Sequence, residues 1–323
     1  MTDYSLNDRW QENRSTWKAY WDTFTLDNFA IALIIFAVSI VGFGYFNQHG
    51  SAINWTNIFG DFYANVSSEL ISIVITVLVL ERLNNRRQDK QELIRLKELL
   101  SSNEALVTKI AIAELKAKGW LYDGSLEEAD LAEANLTEAN MFGANFRKAN
   151  FLDANLQDSL LIGANLTEAN MFGANLERAN LWGAKLKKTN LKESNLGKAN
   201  LKEVDMNEAN LQEANLKEVD LSEANLNKAD LTLANMENTQ LISANLQETD
   251  LSVSNLQGAI LRHANLQNAT LIGTSLEGAD LTGANIDGIK WSFDDETYPA
   301  TLPDGTEWSK NTDMKSFTKP RFC

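Results

Sequence analysis

The sequence predicts a mainly β protein, a solenoid of short repeats preceded by an α-helical segment. A large apolar residue recurs at every fifth position from Leu126 to Ile286, which makes 33 units. A small residue, nearly always alanine, lies two positions before it, and Asn or Asp lies one position before it. This period fits neither a helix nor a strand. A strict short period is typical of repeats that bury their apolar sides by stacking on one another.

The charges two positions after each central apolar residue indicate how many units form one coil. In steps of twenty residues, the charge at this position alternates in sign along one column: Glu128, Lys148, Glu168, Lys188, Glu208, Lys228, Glu248. Alternation is favourable where neighbours stack about 4.8 Å apart. Four pentapeptides therefore form a four-sided coil, and about eight coils form a rod about 39 Å tall. Because an exposed ion pair contributes only about 0–1 kcal/mol, the column serves mainly to hold register.

The run of units resembles the pentapeptide-repeat family, whose consensus is A(D/N)LXX, as in residues Ala134 to Glu138. The resemblance covers about half of the chain. It implies a right-handed quadrilateral β-helix in which the central and small residues fill the interior and the other three positions face outward. We expect local turn irregularities where the Asn/Asp position departs from the consensus, at Leu160, Lys185, Gln240, Ile260, Thr270 and Ser275.

The residues before the repeats predict a membrane anchor of two helices. Phe29 to Phe46 carries no charge and can cross a hydrocarbon core about 30 Å thick. A second apolar segment runs from Phe62 to Leu80, with Glu69 expected at the membrane interface. Lys and Arg flank the two segments but not the loop between them, which predicts that both termini and the repeats are cytoplasmic. Buried helices of a soluble domain are the alternative.

The chain is thus expected to comprise five parts. These are a cytoplasmic or interfacial segment (1–27), a transmembrane hairpin (28–83), linker helices with an N-terminal cap (84–120), the β-helix (121–289), and a C-terminal cap and tail (290–323). Leucines at helical spacing up to Leu100 and a stop at Gly119 support the linker helices. Since an open solenoid end needs a cap, Trp120 and Trp291 are expected to close the two ends.

Composition argues against catalysis and against nucleic-acid binding. The net charge is −15, and no basic groove is evident, so direct binding of nucleic acid is not expected. The two histidines, His49 and His263, have no partners at the spacing of a metal site or a catalytic triad. The single cysteine, Cys323, excludes a disulfide framework. We expect no enzymatic activity, no metal and no cofactor.

Large apolar residues at outward positions form two columns. Phe142, Ile162 and Trp182 lie twenty residues apart, and Leu152 and Phe172 form a second column on the opposite wall. Exposed apolar columns often mark contact sites. Packing against the chain's own linker helix, or a lightly exposed wall, explains them equally well.

Three functions of different classes fit this sequence. The first is a membrane-anchored scaffold whose partners are the lipid bilayer and a protein, with a homo-oligomer left open. The second is suggested by the family resemblance, an acidic mimic of DNA that binds a topoisomerase, although the alternating charges and the predicted anchor argue against it. The third is a membrane sensor or transport accessory protein, for which Glu69 is the intramembrane carboxylate.

Overall fold

A computed structural model of the chain describes residues 35, 39, 56–292 and 300–307. The chain divides into two compact units, Met1–Glu92 and Leu93–Cys323. The described elements, in chain order, are α1 (Thr56–Leu100), α2 (Ala105–Ala117), a long run of pentapeptide turns, and the strands β1 (Thr270–Ile272) and β2 (Lys290–Ser292).

Helix α1 overturns the predicted membrane hairpin. The second predicted span, Phe62–Leu80, lies inside α1, and none of the described helices has a stretch long and apolar enough to cross a bilayer. Ser67, Ser68 and Glu69 interrupt the apolar run, and a charged sequence follows Leu80 without a break in the helix. The first predicted span, Phe29–Phe46, lies outside the described residues except for two positions. The prediction of a two-span membrane protein with cytoplasmic termini is therefore wrong.

The repeats form coils of four pentapeptides, as predicted. Parallel bridges join residues twenty positions apart, from Asp130 with Asn150 up to Asn265 with Asn285, and β1 pairs with β2 in the same register. Above the first coil, a bridged residue makes two backbone hydrogen bonds to the coil below it: the Asn150 N–H donates to the Ala129 carbonyl (2.9 Å), and the Asn150 carbonyl accepts from the Leu131 N–H (2.7 Å). The β solenoid is confirmed. We number its walls 1 to 4 by the units centred on Leu131, Leu136, Met141 and Phe146.

The core is a continuous column of central and small residues. Both positions are buried along the whole repeat, with the rings of Phe146 and Phe151 packed edge to face, their centroids 5.2 Å apart. Where a threonine replaces the small alanine, its hydroxyl donates to a backbone carbonyl, as from Thr189 to Leu166 (2.8 Å). A hydrogen-bonded hydroxyl can be buried at little cost, so the core tolerates these replacements.

The Asn side chains explain the consensus at the bridged position. The Asn175 Oδ1 accepts from the N–H two residues ahead (3.2 Å), and its Nδ2 donates to the Oδ1 of Asn155 in the coil below (3.2 Å). The same contact joins Asn195 to Asn175 (3.1 Å). Asp has no donor, so it suits the start of such a ladder, as at Asp130, which accepts from the next coil. These ladders supplement the backbone bonds on all four walls.

Most of the expected turn irregularities do not occur; the exception is Thr270, where strand β1 replaces the regular turn pattern of the neighbouring units. Residues that depart from the consensus, such as Leu160 and Lys185, keep the same bridges and turns as their neighbours. The reason is that the coil-to-coil bonds use the backbone, and the side chain adds only the ladder contact.

Helix α2 closes the first coil. It buries Thr108, Ala111, Ile112 and Leu115 against the core. The Thr108 hydroxyl donates to the carbonyl of Asn135 (2.6 Å), and the Asn135 N–H donates to the carbonyl of Ser102 (3.0 Å). The cap therefore covers the apolar core of the open end and pairs with part of its backbone.

The far end is closed by a further unit that lies outside the predicted repeats. Trp291 packs partly buried against the core, and the chain then supplies Ala300, Thr301 and Leu302 on wall 3. The Thr301 N–H donates to the Ala279 carbonyl (2.8 Å), and the Leu281 N–H donates to the Thr301 carbonyl (2.8 Å). Glu307 then pairs antiparallel with Thr301 and ends the stack.

We predict that Leu166→Ala lowers the free energy of unfolding by about 2–5 kcal/mol, because the cavity it leaves lies inside a closed coil. Thr167→Ala, at the adjacent outward position, should change it by no more than about 0.5 kcal/mol. Urea unfolding followed by circular dichroism measures both values. Equal effects of the two substitutions would contradict the assignment of inward and outward positions.

We predict that Leu115→Asp opens the N-terminal end of the rod, because Leu115 is fully buried under the first coil. Hydrogen exchange of residues 126–146 should accelerate. Leu106→Asp is the matched control, since Leu106 on the same helix is 71% exposed and should leave exchange unchanged. Acceleration by both variants would mean that α2 is not a cap.

Candidate interaction surface

The structure places the predicted apolar residues in two columns on opposite walls. On wall 3, Phe142 and Trp182 are 58% and 46% exposed, with the half-buried Ile162 between them. Backbone bonds fix this stacking: the Gly143 N–H donates to the Ile162 carbonyl (2.9 Å) and the Gly163 N–H to the Trp182 carbonyl (2.9 Å). Leu152 and Phe172 stack on wall 1, where both are half-buried. The wall 3 column therefore presents more apolar surface.

Two further residues extend the wall 3 column, and sequence analysis missed both. Tyr122 is 42% exposed and lies at the N-terminal end of the column, where its ring is the group nearest to a Cβ built at Gly143 (4.0 Å). Leu160, 39% exposed, stands at a bridged position that elsewhere holds Asn or Asp. Tyr122 precedes the first consensus unit, so the five-residue period does not reveal it. We call the set Tyr122, Phe142, Leu160, Ile162 and Trp182 the apolar face.

The apolar face lies on a wall without charge. The three stacked units 139–143, 159–163 and 179–183 contain no charged residue. No other wall has three consecutive uncharged units between residues 126 and 288. Because a partner that covers charges must desolvate them, a neutral wall is the least costly one to cover.

Three glycines form an open channel beside the apolar face. They occupy the position two residues after the central one, where φ is about +60°. The backbone does not require glycine there, because 24 non-glycine residues adopt this conformation, among them Glu203 and Glu223 higher on the same wall. At Gly163 and Gly183 an added Cβ would meet no atom within 4 Å. Gly143, Gly163 and Gly183 thus leave accessible backbone next to the apolar side chains.

Several glycines in other columns are covered by the residue twenty positions earlier. A Cβ at Gly173 would collide with the Asp153 Oδ1, and a Cβ at Gly283 with the His263 Nδ1. In the glycine channel the residue below Gly163 or Gly183 is itself a glycine. Consecutive glycines therefore keep the channel open.

The predicted charge column lies on wall 4. Three of its neighbouring pairs form ion pairs: Glu128 with Lys148 (3.2 Å), Lys188 with Glu208 (3.4 Å) and Lys228 with Glu248 (3.6 Å). Glu168 is reached instead by Arg147 (3.6 Å). Such exposed pairs contribute little to stability, but they neutralise most of this wall.

The wall 2 flank of the apolar face is neutralised within the rod. Arg178 donates from two nitrogens to the two carboxylate oxygens of Asp158, each at 2.8 Å. These hydrogen bonds hold the pKa of Asp158 below its ordinary value, so the pair stays charged at neutral pH. Among the residues that the structure describes, no group of His, Cys, Asp and Glu could hold a metal ion.

Two family models match the repeats. The one described as "Pentapeptide repeat region" matches residues 174–251, and the one described as "Pentapeptide repeats (8 copies)" matches residues 125–161, 149–187 and 250–288. Together they cover residues 125–288, just over half of the chain. The chain belongs to the pentapeptide-repeat family.

Solved structures of other pentapeptide-repeat proteins resemble this one. HetL, involved in heterocyst differentiation regulation in the cyanobacterium Nostoc sp. strain PCC 7120, is 33% identical; the match covers 56% of this chain and 86% of HetL, with a TM-score of 0.29. QnrB1, a plasmid-mediated fluoroquinolone resistance protein, is 19% identical over 50% of this chain and 79% of its own, with a TM-score of 0.28. A protein of the Arabidopsis thaliana thylakoid lumen is 25% identical over 42% and 86%, with a TM-score of 0.28. No curated protein matches the chain.

We predict that Gly163→Glu fills the glycine channel without unfolding the rod, because glutamate occupies the same position and φ at Glu203 and Glu223. The free energy of unfolding should change by less than about 1 kcal/mol. Gly173→Glu is the matched control for crowding, since Asp153 must move to admit it. If Gly163→Glu destabilises the rod more than Gly173→Glu, the channel is not open.

Proposed function

We propose that this chain is a non-enzymatic protein-interaction module whose rod binds a partner protein through the apolar face. The observation that carries the proposal is the coincidence on one wall of large exposed apolar side chains, an open glycine channel and three uncharged units. Contiguous exposed apolar surface of this kind is typical of binding sites. Tyr and Trp are also the residues most often found at the centres of interfaces.

The partner must bind through side chains. Along each wall the backbone N–H and carbonyl groups already bond to the neighbouring coils, as at Gly163 and Gly183. Addition of a partner strand needs a free sheet edge, and such edges lie only at the ends of the stack, where α2 covers one end and β2 with residues 300–307 covers two walls of the other. This excludes strand addition along the described walls as the mode of binding.

A mimic of duplex DNA is less well supported. Such a mimic requires a continuous negative surface. Here ion pairs neutralise much of wall 4, and wall 3 carries no charge over three coils. Walls 3 and 4 therefore do not offer the required surface.

The test is photo-crosslinking in cells from a photoreactive amino acid at position 162, with position 168 on wall 4 as the control. We expect one partner protein to be captured from position 162 only. Trp182→Glu should then weaken binding of the purified partner about tenfold or more, because the indole lies within the contact, while the rod stays folded. Cross-links confined to this chain's own residues would overturn the proposal.

A further inference from the structure

A basic belt crosses the rod at the level of Trp182. Between Glu177 and Glu193 the chain contains five basic residues and no acidic one, although its net charge is −15. These basic residues are Arg178, Lys185, Lys187, Lys188 and Lys192. The belt interrupts an otherwise acidic molecule directly beside the apolar face.

Two lysines of this belt lack a carboxylate partner. Ten of the twelve basic side chains between residues 126 and 289 form ion pairs with Asp or Glu. Within the described part of the chain, Lys185 and Lys187 are the two exceptions, and both are exposed. Asp205, one coil above Lys185, already accepts from the Asn207 N–H (3.2 Å) and from Asn225 (2.9 Å).

The two lysines border the glycine channel. Lys185 follows Trp182 by three residues, at the start of wall 4, and Gly183 lies between them. The indole and the Lys185 side chain therefore stand on opposite sides of the open channel. Lys187 lies two residues further along wall 4. A ligand on the apolar face at this level would meet both cations on one flank, whereas Arg178 on the other flank is satisfied by Asp158.

The size and charge of the surface point to a short acidic segment. The column of Phe142, Ile162 and Trp182 spans two coil steps, or about 10 Å, and Tyr122 lengthens it at one end. A column this short on a single wall cannot supply the roughly 800 Å² that each partner of a stable dimer buries. A second copy with a net charge of −15 would also be repelled. Residues 308–323 of this chain contain four basic residues and one acidic residue. They would be repelled by the two lysines.

A helix suits the spacing of this column better than an extended strand does. Coils repeat every 4.8 Å or so, and a helix places apolar side chains on one face at every turn of about 5.4 Å. One face of a strand repeats at about 6.6 Å, and strand addition along the wall is excluded by the paired backbone. A helix of about ten residues would cover the column.

Building on the proposed function, we infer that the partner segment is an acidic amphipathic helix. Its apolar side packs on Phe142, Ile162 and Trp182, and its carboxylates pair with Lys185 and Lys187. The pairing selects acidic over neutral or basic helices with the same apolar side.

Selection from a phage-displayed library of random 15-residue peptides tests the inference on the full chain. Binders to the wild type are kept after removal of those that bind Trp182→Glu. We expect enriched peptides with net negative charge and apolar residues three or four positions apart. Enrichment of neutral or basic peptides, or no enrichment that depends on Trp182, would overturn the inference.

The charge requirement is then measured on the enriched peptide by fluorescence anisotropy. The double variant K185E/K187E should bind it about tenfold more weakly, and should gain affinity for the same peptide with Lys in place of Glu. K198E/K217E is the control, with the same charge change on wall 2, and should bind as the wild type does. Circular dichroism checks that all variants are folded.

The two proposals fail in different ways. If a partner captured from position 162 binds K185E/K187E as tightly as the wild type, the acidic-helix inference is wrong and the interaction module stands. If position 162 captures nothing outside the chain, the proposed function fails first.

Discussion

The structure depends on one constraint, the stacking of every pentapeptide on the unit twenty residues away. Each unit gives backbone hydrogen bonds to the coils above and below, and each buries one large and one small side chain. The small residue is required because four walls converge on a narrow core. No unit could bury its apolar side alone, so the stability of each coil depends on its neighbours and on the caps at both ends.

This constraint also determines what the surface can do. Residues twenty positions apart are neighbours in adjacent coils, so a type of side chain that recurs at this spacing forms a continuous column. Alternating charges give the charge column on wall 4, in which three neighbouring pairs form ion pairs. Consecutive glycines give an open channel, and consecutive large apolar residues give the apolar face. Because the backbone is the same in every unit, only the outward side chains distinguish one part of the surface from another.

The five-residue period and the four units per coil could be predicted, because both follow from side-chain identity at regular spacing. The apolar column of Phe142, Ile162 and Trp182 could be predicted for the same reason. Tyr122 could not, because it lies before the first consensus unit, and the final unit at Ala300 to Leu302 could not, because a longer connection precedes it. That Lys185 and Lys187 form no ion pair could not be predicted, because ion pairing depends on which side chains come together in the folded structure. The membrane prediction failed at Phe62–Leu80, where hydrophobic residues are interrupted by polar ones within one long helix.

Oxidative footprinting of the apolar face, compared between the purified protein and intact cells, tests the central claim most directly. Phe142 and Trp182 are exposed in the isolated rod, so hydroxyl radicals should oxidise both in the purified protein. In cells a bound partner should protect them, while His263, exposed four coils above Trp182, stays equally reactive. Equal oxidation of Phe142 and Trp182 in both settings would contradict the assignment of this face as a binding surface.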